Sequence, residues 1–183
     1  MRTISVILVA ALLTACAADP AKVQDVAAEE AERLAPPTRS LSEFAEFELA
    51  AMTFDDVIMQ EENKLEEARE FERNLQAKLD PLLASWNTGG SEGASGTLLI
   101  EANLVRLKIV SGGARFWAGA FAGDSYLDLD LRLVDKSNGE VISDVPVRRN
   151  ADSMTGAWSI GKSDQNLDEY VVSIVHQYLT DNY

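Results

Sequence analysis

Between residues 56 and 86, Leu65, Ala68, Phe71, Leu75, Leu79 and Leu82 recur at intervals of three and four. That spacing lays one apolar stripe along an amphipathic α-helix. Its polar face carries Glu61 with Lys64, Glu66 with Arg69 and Glu70 with Arg73, pairs at i,i+3 that each add a few tenths of a kcal/mol. Pro81 is expected to end or kink this helix, because it lacks the N–H that an inner turn needs. Further on the period changes to two. Leu127, Leu129, Leu131 and Leu133 alternate with Asp128, Asp130, Arg132 and Val134, which predicts a half-buried strand with leucines facing the core.

Upstream, Leu98, Ile100, Ala102 and Leu104 alternate in the same way, after which Val105, Leu107 and Ile109 continue one step out of phase. A slip of one residue sends side chains to the opposite face, so a β-bulge near Leu104 is expected. Asp135-Lys-Ser-Asn-Gly139 reads as a turn into a third strand over 141–148, and Pro146 assigns that strand to a sheet edge or its end. A further strand is expected within 43–53, where Phe44, Phe47, Leu49 and Met52 mix with acidic residues. The glycine-rich stretch 87–96 reads as a flexible loop. Leu167, Tyr170, Val171, Ile174, Val175, Tyr178 and Leu179 predict a closing amphipathic helix. The sum is one α+β domain over 42–183, a small antiparallel sheet with two amphipathic helices packed on one face.

The N-terminus follows another pattern. Arg2 precedes an apolar run over 4–13, and Leu13, Thr14 and Ala15 lead into Cys16, the chain's one cysteine. Ten apolar residues fall short of the roughly 20 that a membrane-spanning helix needs. The pattern is that of a bacterial lipoprotein signal over 1–15, cleaved before Cys16, with acyl chains then carried on its thiol. Several chains on one cysteine anchor a protein stably to a bilayer. Ala17 follows the cysteine where an aspartate would retain the protein at the inner membrane of enteric bacteria, so the expected location is the periplasmic face of the outer membrane. Residues 16–41, with Pro36 and Pro37, read as the lipidated cysteine and a flexible tether, spanning at most about 80 Å when extended and less if 22–35 is partly helical.

Charge narrows the choice of partner. The formal net charge of −14 becomes −15 once Arg2 leaves with the signal, which gives no footprint for nucleic acid. Acylation of Cys16 leaves no thiol for disulfides, metal binding or nucleophilic catalysis.

Candidate chemistry is thin. Residues 156–163, from Gly156 through Gly161 and Lys162 to Ser163, spell a phosphate-binding loop. A working one follows a buried strand and opens a helix, whereas here polar residues precede it and Asp164-Gln-Asn separates it from the last helix, so no nucleotide is expected. Asp128 and Asp130 share one side of a strand about 7 Å apart, as some glycosidase carboxylates do, but opposite a row of leucines they describe a solvated sheet face. His176, the one histidine, lies off the apolar stripe without a nucleophile or metal partners. No catalytic residues, no cofactor and no metal are expected, and the chain reads as non-enzymatic. The most unusual internal run is 112–123, where Arg115, Phe116, Trp117 and Phe121 stand among glycines and alanines. These aromatics either fill the core or form an exposed patch for a protein partner or the acyl surface.

In order, the signal, the long helix, the Gly112-Gly-x-Arg115 segment with Gly119 and Gly123, the Asn138-Gly139-Glu turn and the last helix resemble an uncharacterised family of bacterial envelope lipoproteins. More distantly, the layout is similar to the periplasmic α/β domains of curli-secretion lipoproteins and of those that activate cell-wall synthases. The leading reading is a periplasmic protein partner in envelope assembly or maintenance, bound through Arg115, Phe116, Trp117 and Phe121 with the neighbouring sheet edge. The alternative is a carrier or sensor of a small apolar ligand held between sheet and helices.

Overall fold

The computed structural model describes residues 19–90, 92–109, 125–150 and 166–183. Its frame is a mixed sheet of β1 (Glu46–Leu49), β2 (Thr53–Phe54), β3 (Thr97–Lys108), β4 (Tyr126–Asp135) and β5 (Glu140–Asn150), in the order β1-β3-β4-β5 with β2 also on β3. Against it stand α1 (Pro20–Glu32), the short α2 (Asp56–Met59), the long α3 (Glu62–Gly89) and α4 (Leu167–Asp181). The fold is α+β, as the alternation of periods predicts.

The sheet is not wholly antiparallel. β3 to β5 form an antiparallel meander, but β1 and β2 run parallel to β3. The physical reason is the connection: α3 carries the chain from one end of the sheet back to the other, and a crossover of that kind joins parallel strands. The bulge falls where the phase change places it, with the β3 register shifting between Leu104 and Arg106, so that Leu104 and Leu107 are both buried. β5 is the edge strand that Pro146 demands.

Leu127, Leu129, Leu131 and Leu133 are fully buried and meet Leu98, Ile100, Ala102 and Leu104 of β3 in one core. Phe71, Leu75 and Leu79 of α3 and Val171, Ile174, Val175 and Tyr178 of α4 close over it. The α3 stripe continues through Leu83 and Trp86. Pro81 neither ends nor divides the helix, which runs on through Asn87 and Thr88 to Gly89; the first residues of the expected loop are its last turn. Gly90 then stops it with φ 38°, a conformation open to glycine. The turn after β4 likewise uses Gly139 at φ 76°, while Asp135 accepts from the Ser137 amide and hydroxyl.

The stretch expected as a tether is a second correction. Residues 20–32 form α1, capped by Asp19, whose Oδ1 accepts from the Ala21 amide, with Pro20 in its first turn. Val23, Ala27 and Ala31 recur every four residues and are buried, the last two in the main core. Beyond α1 the chain stays fastened to the domain. Ala35 accepts from the Tyr178 hydroxyl, the Thr38 amide donates to Ile142 and the Leu41 amide to Asn182. The compositional signal failed because alanine serves an interior helix face as well as a solvated one.

Candidate functional site

Leu13, Thr14, Ala15 and Cys16 lie outside the described residues, as do Arg115, Phe116, Trp117 and Phe121 and the run from Gly156 to Ser163. What surrounds the two internal runs is described. Lys108 of β3 faces Tyr126 of β4, and Tyr126 faces Asn150 of β5. The run with the aromatics therefore leaves and re-enters at one end of the sheet, and the glycine-containing run leaves from that same end. The described residues Lys108, Tyr126 and Asn150, from which the two runs depart, thus lie side by side although they are distant in sequence.

The two sheet edges differ. Along β1 the side chain of Asn87 takes both outward groups of Phe47: Oδ1 accepts from the Phe47 amide at 2.8 Å and Nδ2 donates to its carbonyl at 3.1 Å. Glu72 Oε1 likewise accepts from the Met52 amide at 3.1 Å. Side chains of α3 thus occupy the hydrogen-bonding groups that a foreign strand would use. Sequence reasoning missed Asn87, having assigned it to a loop. At β5 the described covering is Thr38, whose amide donates to Ile142 at 2.9 Å.

The outer sheet face is a ladder of paired charges. Asp128, only 5 % exposed, accepts from Arg106 Nε at 2.5 Å, with Arg148 Nε at 4.0 Å. Arg148 also donates to Asp130. The hydrogen bond to Asp128, more than its charge alone, raises the pKa of Arg106, whose guanidinium lies over the Tyr126 ring. The two aspartates do share a face, as their spacing requires, and each is engaged by an arginine; Asp128 is buried where a solvated position was expected, because Arg106 covers it, and Asp130 borders an open groove. Nearby, a shallow groove of about 410 Å³ is lined by Thr53, Glu101, Asn103, Asp130, Arg132 and Asp144. A second of about 390 Å³ lies between α3 and α4, beside the bond from Asn74 to Asp168. Both are open and of mixed polarity, whereas the described space between sheet and helices is filled by side chains of the core.

His176 is half-buried on α4. Burial, and then the positive charge of Lys78, lower its pKa. Among the described residues no group of three or more His, Cys, Asp and Glu side chains is placed to hold a metal ion.

No family model matches the chain, and no curated protein does. Among solved structures it is similar in the course of its backbone to PelC from Paraburkholderia phytofirmans, solved as a dodecamer, at 10% identity and a TM-score of 0.46, over 80% of this chain and 95% of that one. Protein XCC0632 from Xanthomonas campestris, of the family DUF330, is similar at 8% identity and a TM-score of 0.37, over 80% of this chain and 84% of that one. Likeness this loose carries no function across.

Proposed function

We propose that the chain is a non-enzymatic envelope lipoprotein. It is cut before Cys16, acylated there, held on the periplasmic face of the outer membrane, and binds a protein partner in envelope assembly or maintenance. The observation that carries this is Leu13-Thr14-Ala15-Cys16 directly behind an apolar run too short to span a bilayer. The partner surface is assigned to Arg115, Phe116, Trp117 and Phe121 and the adjoining end of β5. Aromatic and arginine side chains anchor many interfaces, and a sheet edge accepts an added strand. Closure of the opposite edge by Asn87 and Glu72 supports the choice of β5. Among the described residues the space between sheet and helices is filled by core side chains and both grooves are open, so no enclosed apolar cavity there favours the alternative of an apolar-ligand carrier.

Cys16→Ser is expected to abolish labelling by radioactive palmitate and to move the protein from the membrane to the soluble fraction while its circular dichroism is unchanged. A photo-crosslinker replacing Trp117 in intact cells is expected to give one discrete protein adduct. Membrane retention of the serine variant contradicts the anchor, and a lipid adduct in place of a protein contradicts the partner.

A further inference from the structure

The sheet face turned away from the core carries its charges in rows that run across the strands. Register sets Glu101, Arg132 and Asp144 side by side on β3, β4 and β5, then Asn103, Asp130 and Pro146, then Arg106, Asp128 and Arg148. Ala102, Leu104, Leu129, Leu131, Val145 and Val147, which alternate with them, lie in the core, so these nine side chains belong to the other face. The first row reads minus, plus, minus. The third row, about 14 Å further along the strands, reads plus, minus, plus.

We propose that this face docks a second copy of the chain, sheet against sheet, about a two-fold axis that runs along the middle row. Such an axis exchanges the two outer rows and keeps each strand over its own counterpart. Glu101 then meets Arg106 of the other copy, Arg132 meets its Asp128 and Asp144 meets its Arg148, and each pairing occurs twice. The other two-fold axis open to facing sheets runs along β4. It sets Arg132 on Arg132, Asp128 on Asp128, Glu101 on Asp144 and Arg106 on Arg148, like charges throughout, so the pattern selects the first. Across that axis Asp130 is the one charge that faces its like, and Arg148 of its own chain already engages it.

Charge and shape both favour a second copy as the occupant. The three rows hold three arginines against four carboxylates, whereas the chain has 16 basic residues against 30 acidic ones, so here two such acidic molecules repel each other least. The groove of about 410 Å³ bordered by Glu101, Asn103, Asp130, Arg132 and Asp144 opens where Arg106 of the other copy arrives. Arg106, its side chain 62% exposed, stands out from the face to enter it. A patch about 20 Å on a side buries about 800 Å² over both copies, the size of a transient contact. Exposed ion pairs add little singly, which makes this contact reversible and sensitive to salt.

The test uses the Cys16→Ser chain, in which an introduced cysteine is the sole thiol. Asn103 lies on the axis and face-packed sheets are about 10 Å apart, so Asn103→Cys is expected to be joined to its own counterpart by a bismaleimide of that reach. Val141, opposite Val134 and so two rows from the axis, is about 27 Å along the strands from its counterpart. Val141→Cys is therefore expected to crosslink at least fivefold less. Raising salt from about 0.1 M to about 1 M shortens screening from about 10 Å to about 3 Å and is expected to cut crosslinking at 103 at least fivefold. Glu101→Arg with Asp144→Arg, which makes the first row wholly positive, is expected to abolish it with circular dichroism unchanged. Should that variant not fold, the salt series decides. Equal crosslinking at 103 and 141, or none at 103 at any soluble concentration of chain, overturns the proposal, as does crosslinking indifferent to salt.

Discussion

Tyr178 shows how one side chain ties three elements. Its ring is 1 % exposed within the core, its hydroxyl lies 2.7 Å from that of Ser143 on β5, and it donates to the Ala35 carbonyl at 2.9 Å. Removing the hydroxyl leaves a buried serine and a carbonyl short of a partner. Tyr178→Phe is expected to cost about 1–2 kcal/mol, read as a lower urea midpoint with unchanged m-value. Leu129→Ala, at a fully buried site between β3 and β5, is expected to cost more, about 2–5 kcal/mol. His176 gives a pH dependence with a definite sign. Its pKa in the folded protein is lowered, so the unfolded chain takes up the proton more readily, and stability fully present above the ordinary value of 6.5 is lost as pH falls from there through the lowered folded value. His176→Gln is expected to flatten the decline in melting temperature on the acid side of pH 6.5. An unchanged slope would show that the carboxylates alone set it.

At the scale of elements, the sequence specified the meander well because each of its strands has one buried face, which fixes both period and register. The leucines of β4 and the phase change at Leu104 could be placed residue by residue. The parallel pairing of β1 and β2 could not, since four-residue and two-residue strands carry almost no period, and their direction follows from the path of α3. Asn87 escaped notice for a related reason. Its polarity suits a loop, and only the tertiary fold shows its amide facing the edge of β1. Asn87→Ala is expected to cost about 1–3 kcal/mol and to free the Phe47 amide and carbonyl. Faster concentration-dependent aggregation than of Tyr178→Phe, at matched stability, would mark the loss of edge protection. For α1, Ala27→Asp places an unpaired charge at a site 1 % exposed and is expected to undock the helix.

For the whole molecule, the sequence offers more for the proposed address than for the proposed occupation. A signal of the proposed kind is read by processing machinery from linear order, so residues 1–16 alone are enough to propose it. A surface for a protein partner, as proposed, would instead draw on separate segments, and the described ends at Lys108, Tyr126 and Asn150 come together only because β3, β4 and β5 pair. The acidic ladder of the outer sheet face, with its arginines matched to Asp128 and Asp130, accounts for charges that might have suggested catalysis. The central claim is the acylated Cys16, on which the proposed location and partner depend. Intact-mass and peptide mass spectrometry of the protein isolated from its native envelope tests it most directly. The account predicts a mature chain that begins at Cys16 and carries a diacylglyceryl group with a further fatty acyl chain. A chain that retains residues 1–15, or begins elsewhere with an unmodified cysteine, would contradict it.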